Sequence, residues 1–201
     1  YKVTDEEVGV KFNVEESGIS TGTLTNPQTL LNTAKALLKE GCNAIAIVCL
    51  FEEPEDDNPN YSQGLGVDPV GGVEAIISHY ISKELQVPCA HSPAFVDYQI
   101  YPDLVDGKAA SEYITPTFLP CILIGLNNAP IISTTEGISI DDLDYLIMPY
   151  DALGSTPVFE AIKRGIKIFA IKENSTELNV YASKISDKII EMPTYKDCLD
   201  Y

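Results

Sequence analysis

The first regular pattern in the chain is an alternation. Val8, Val10, Phe12 and Val14 are apolar, and Gly9, Lys11 and Asn13 separate them. A period of two predicts a half-buried strand, and Ser17-Gly18 predicts the turn that ends it. The period then lengthens. After Asn26-Pro27, a favoured cap and a preorganised first helical residue, Leu30, Leu31, Ala34, Leu37 and Leu38 share one helical face as far as Gly41. Ala44–Leu50 (AIAIVCL) is continuously apolar and too short for a helix, so it predicts a strand covered on both faces. A second helix follows, with Val73, Ile76, Ile77, Tyr80, Ile81 and Leu85 on one face, and Val87–Pro93 extends behind it.

The second half repeats the alternation of elements. Gly107–Tyr113 reads as a short helix and Phe118–Leu126 (FLPCILIGL) as a buried strand. Ser133–Asp142 is polar enough for a surface loop. Asp144–Pro149 and Ile166–Ile171 read as strands on either side of a helix that Thr156 caps, Pro157 opens and Gly165 closes. Lys188–Met192 is a last short strand, and Thr194 caps a final helix. Strands alternating with helices predict one α/β domain over residues 1–201, with a mostly parallel sheet, helices on both faces and three layers in a Rossmann-like order. The chain starts at Tyr1, and its last helix is cut off at Tyr201. It is expected to be the C-terminal part of a longer protein.

Charge narrows the classes of partner. With 30 Asp and Glu against 13 Lys and Arg, the net charge of −17 repels nucleic-acid phosphates and anionic membranes. No apolar run approaches the roughly 18–20 residues that cross a bilayer, and no signal peptide opens the chain. Hydrophobic residues at 45% are enough for a packed core. The expectation is a soluble protein, with a homo-oligomer or a further N-terminal segment as its protein partner. The five cysteines have no CxxC pair. Cys42, Cys49 and Cys121 border or sit in apolar runs, which predicts buried, reduced thiols. Glu52, Glu53, Glu55, Asp56 and Asp57 follow no calcium-loop spacing and read as a solvated loop. No metal and no cofactor is expected.

The densest candidate chemistry lies in Gly64–Leu85 and the VPCAHSPAF tail behind it, Val87–Phe95. Gly64, Gly66, Gly71 and Gly72 allow a ligand close to the backbone, and the start of a helix offers N–H donors to a small anion. The spacing is neither GxGxxG nor a Walker sequence, so no nucleotide is implied. Asp68, Cys89 and His91 are the catalytic candidates. Cys89 and His91 lie two apart on an extended segment and point to one side, as a nucleophile or an acid/base couple requires. His79 falls beside Lys83, away from the apolar face, and reads as a surface residue. Asp151, Gly154, Ser155, Thr156, Glu173 and Asn174 are ligand-binding candidates, because ligands of open α/β sheets gather beyond the carboxyl ends of the strands. The leading expectation is an enzyme acting on a small carboxylate or phosphate. The alternative is a non-catalytic assembly or regulatory protein.

GVDPVGGVEAIISH with PCAHSPA, then TFLPCILIGLNNAP and DYLIMPYDALGSTPVFEAIKRGIKIFAIKENST, resemble a conserved family of unknown function found in cyanobacteria, other bacteria and plastid-bearing eukaryotes. The resemblance covers nearly the whole chain. It implies a longer protein with a further glycine-rich α/β segment upstream, in a chloroplast stroma or a bacterial cytoplasm. Members commonly carry Cys-Gly-Gly-Ser where this chain has Ala152-Leu153-Gly154-Ser155, so the turn has no cysteine here. The resemblance implies no reaction.

Overall fold

The computed structural model describes residues 1–51, 61–94, 104–110, 119–129 and 135–201. The chain divides into two compact units, Tyr1–Pro130 and Ile131–Tyr201, each with its own hydrophobic core. Both are mixed α/β with small sheets. The acidic stretch Glu52–Asp57 lies outside the described residues, as do residues 111–113 of the expected helix Gly107–Tyr113, of which 107–109 form a turn.

The first unit opens with an antiparallel hairpin, β1 (Val10–Val14) and β2 (Ser20–Leu24), in which Phe12 faces Gly22. The expected turn is present: Gly18 has φ +85° and its N–H donates to the Glu15 carbonyl at 2.8 Å. The strand β2 escapes the periodicity reading because STGTL carries one large apolar residue.

Helix α1 spans Pro27–Lys39, with Leu30, Leu31 and Ala34 buried. Its start departs from expectation. Asn26 adopts a left-handed backbone and its amide donates to Glu6 at 2.8 Å, so it caps no helical N–H. Its end follows the sequence. Gly41 has φ +97°, its N–H donates to the Leu38 carbonyl and that of Cys42 to the Leu37 carbonyl, which is the Schellman pattern.

Strand β3 (Ile45–Cys49) and strand β4 (Cys89–Pro93) pair in parallel, with Ile45 opposite Cys89 and Ile47 opposite His91. Helix α2 (Gly71–Leu85) connects them, which completes a βαβ unit. Val73, Ile77 and Ile81 of α2 pack with Leu30, Leu31 and Ala34 of α1 and with Ile45 and Cys49 of β3.

One element differs in kind. Residues expected as a buried strand form helix α3 (Leu119–Asn127), which lies against β3 and β4. Pro120 gives the reason. It would remove a ladder hydrogen bond from a central strand, but it costs nothing in the first turn of a helix. None of the residues of α3 is fully buried, and Leu123 and Ile124 are exposed. Cys121 on this helix is therefore exposed, as is Cys42 after the α1 cap; of the three cysteines expected inside, only Cys49 is buried.

In the second unit, β5 (Tyr145–Pro149), β6 (Lys167–Ile171) and β7 (Ile190–Met192) form a parallel sheet in that order. Helix α4 (Thr156–Arg164) joins β5 to β6 and buries Val158 and Ala161 against Ile168 and Ala170. Gly165, at φ +73°, ends it as expected. The start is displaced by one residue: Ser155 occupies the cap position and Thr156 is already helical. A short helix α5 (Ala182–Ile185) adds Ala182 to the core. Thr194 exchanges hydrogen bonds with Asp197, but the cap position falls one residue later, on Tyr195, and the helix is a single 3-10 segment, Lys196–Asp200.

Candidate functional site

Alternation on β4 sends Cys89 and His91 to the same face, as expected. That face meets α2. His91 Nδ1 lies 3.0 Å from the hydroxyl of Ser78, and His91 Nε2 lies 3.8 Å from a carboxylate oxygen of Glu74. Glu74 and Ser78 are one helical turn apart, so both reach the same strand. Ser78 is buried, and the side chains of Glu74 and His91 are 14% and 32% exposed. The group is sheltered but reachable through the imidazole.

Burial depresses the pKa of His91, and the neighbouring charge of His79 depresses it further. The ring is neutral at pH 7. Burial raises the Cys89 thiol to about 11. Cys49 rises to about 12, first through burial, then through the charges of Glu74 and Cys89. Both thiols stay protonated at neutral pH and are weak nucleophiles. Of His91, Cys89 and Cys49, only His91 can accept a proton at neutral pH. His79 is exposed, as expected. Glu74 and Ser78 were not among the sequence candidates. Their signal is faint: two polar residues four apart, immediately beside the buried stripe Val73, Ile77 and Ile81.

The glycine turn before α2 has its polar groups engaged internally. One oxygen of Asp68 accepts the Val70 N–H at 2.9 Å and the other accepts the Gly71 N–H at 3.1 Å. The Gly72 N–H donates to the Ser20 hydroxyl at 3.2 Å. Asp68 therefore serves the first turn of its own helix, where a negative charge is stabilising. Gly72 is required by packing: a Cβ there would lie 2.2 Å from the Ser20 carbonyl oxygen of β2. Gly64 and Gly66 take positive φ, +77° and +75°, and a Cβ on Gly64 would strike the Asp106 carboxylate.

In the second unit the remaining candidates lie beyond the carboxyl ends of β5 and β6. Asp151 is buried and bridges to the loop after β6. Its oxygens accept the Thr176 N–H at 2.9 and 2.8 Å and the Thr176 hydroxyl at 2.9 Å. Glu173 accepts the Tyr195 N–H, and the Asn174 amide donates to the Tyr195 hydroxyl. Gly154 sits against Val180, which a Cβ would approach to 3.2 Å. Ser155 and Thr156 open α4 without a side-chain cap. The buried Ser155 Oγ has no hydrogen-bond partner. A shallow groove at the opposite end of this sheet is lined by Asp141, Asp144 and Arg164. Arg164 is ion-paired to Asp141 there.

Among the described residues, no cluster of His, Cys, Asp and Glu is suited to a metal ion, and no helix is long and apolar enough to cross a membrane.

The chain is 37% identical over 212 aligned residues to an uncharacterized lipoprotein of Synechococcus sp., an alignment that takes in 99% of this chain. It spans 57% of that relative's length. No solved structure matches the chain. A family model described as "Protein of unknown function (DUF3326)" matches residues 1–200. With a match along nearly its whole length, and a cyanobacterial relative aligned over the same span, the chain belongs to the DUF3326 family.

Proposed function

We propose that the chain is an enzyme acting on a small anionic metabolite, a carboxylate or a phosphate, with His91 as the group that takes and returns a proton. The observation that carries this reading is the half-buried His91 ring, fixed by Ser78 on one nitrogen and facing the Glu74 carboxylate with the other. Such a ring is neutral at pH 7, and the positive charge it gains on accepting a proton is stabilised by the carboxylate. Cys89, protonated at neutral pH, is not the nucleophile in this reading. The anionic class of the ligand is the expectation drawn from the glycine-rich start of α2 in the same unit, although Asp68 and Ser20 already take the amides of Val70, Gly71 and Gly72 there.

The test is a thermal-shift screen of small carboxylates and phosphates, followed by turnover assays on the hits. Stabilising compounds are expected for the wild-type chain, with turnover abolished in His91→Gln and its circular dichroism unchanged. A screen without hits overturns the reading, as does undiminished turnover in His91→Gln. A non-catalytic assembly protein would give the first of these results.

A further inference from the structure

We propose that His91 carries its neutral-state proton on Nδ1 and presents Nε2 as the basic atom, with Ser78 as the positioning residue that fixes this tautomer and Glu74 as the carboxylate that receives the positive charge. The proposal rests on the reading of His91 as a base and adds which of its atoms acts.

The argument starts from what each partner can donate. The Ser78 hydroxyl has one hydrogen. Its oxygen lies 3.2 Å from the Ala75 carbonyl, 3.4 Å from the Glu74 carbonyl and 3.0 Å from His91 Nδ1. Carbonyl oxygens only accept. The hydroxyl therefore gives its hydrogen to the preceding turn of α2, the back-bonding that serine makes within a helix. Its lone pair is then directed at Nδ1 and requires a hydrogen there. This arrangement gives the hydroxyl an acceptor for its one hydrogen, nearest at the Ala75 carbonyl, and a donor for its lone pair at Nδ1. The other tautomer would turn the hydroxyl hydrogen toward Nδ1 and away from both α2 carbonyls, while its Nε2–H would face Glu74 across 3.8 Å, an attraction longer than a hydrogen bond.

The polarity that follows suits a base. In the neutral ring the Nε2 lone pair points toward the carboxylate side, where the field favours an arriving proton. When Nε2 binds that proton, the bond Nε2–H forms, the substrate keeps the electron pair of the bond that breaks, and the imidazolium lies between Ser78 and Glu74. Among the described residues, the other titratable groups around this cluster are His79 on α2, Cys89 on β4 and Cys49 on β3. The cysteines are neutral at pH 7, and Glu74 is the carboxylic acid of the group. Ser78 touches neither the substrate nor the transferred proton. Its role is to hold the ring and its tautomer.

Long-range 15N–1H correlation spectra of the uniformly labelled full chain test this directly. The sequence has only two histidines, and His91→Gln identifies the ring. At pH 8 the wild-type His91 is expected to show the Nδ1–H pattern as the major form. Ser78→Ala is expected to turn it into the minor form, and Ser78→Thr, which keeps the hydroxyl, to restore it. Glu74→Gln is expected to leave the tautomer unchanged and to lower the pH at which the ring titrates. A wild-type ring in the Nε2–H form overturns the proposal, and so does a pattern unmoved in Ser78→Ala or a titration unmoved in Glu74→Gln. The outcomes separate the two claims. An Nδ1–H ring in a chain that turns over no compound removes the enzyme reading alone. Turnover that depends on His91, with the ring in the Nε2–H form, removes the tautomer assignment alone.

Discussion

Asp68 and Asp151 stand in matching places, each in a turn that leads into a helix of its own unit, yet they are used in opposite ways. Asp68 spends both oxygens on amides two and three residues ahead, Val70 and Gly71. Its work is local and is complete once α2 begins. Asp151 spends its oxygens on Thr176, which arrives from the far side of β6. Its work is long-range, and the carboxylate is buried while doing it. A carboxylate before a helix can therefore be a cap or a clamp, and the two look alike in the sequence. Their partners, and so the cost of losing them, are different.

That contrast is open to direct trial by urea unfolding followed by circular dichroism and by tyrosine fluorescence. The largest effect belongs to Asp151→Ala. It removes a buried acceptor of charge-assisted hydrogen bonds and is expected to cost roughly 2–3 kcal/mol, with the loss confined to the second unit. Gly72→Ala comes next. Its methyl group meets a backbone oxygen that cannot move cheaply, so about 1–2 kcal/mol is lost even after the better helix propensity of alanine is counted. Asp68→Ala loses a cap and is expected to cost about 1 kcal/mol. If Asp68→Ala proves costlier than Asp151→Ala, the distinction between cap and clamp fails. The smallest effect is that of Ser155→Ala. A buried hydroxyl without a partner contributes nothing to lose, so stability is expected to stay within about 0.5 kcal/mol or to rise. A clear loss would mean that Ser155 Oγ has a partner in solution.

Much of the fold can be read from periodicity. The α1 stripe, the βαβ unit around α2, and the β5–α4–β6 succession all follow from apolar spacing and from glycines at helix ends. The run at α3 shows the limit. LPCILIG is apolar throughout, and a continuous apolar run has no phase that separates strand from helix; only Pro120 breaks the tie. Asn26 shows another. Its residue type fits a cap, but Glu6, twenty positions earlier, captures the amide. The site was legible in part. Cys89 and His91 share a face because strand geometry demands it. Ser78 and Glu74 come to His91 only through the way α2 lies on β4, and no local rule encodes that. The pKa of Cys89 depends likewise on burial, which a motif cannot express.

Buried Cys49 and half-buried Cys89 give the chain a silent timer. With pKa values of about 12 and about 11, Cys49 and Cys89 expose so little thiolate at neutral pH, roughly one molecule in ten thousand or fewer, that alkylating reagents pass them by while the fold is closed. Exposed Cys42 and Cys121 are labelled first. Cys198 is the sole cysteine of the second unit. Counting labelled sites by mass against time therefore reports the opening of the first unit's core by itself, with no substitution made in the chain.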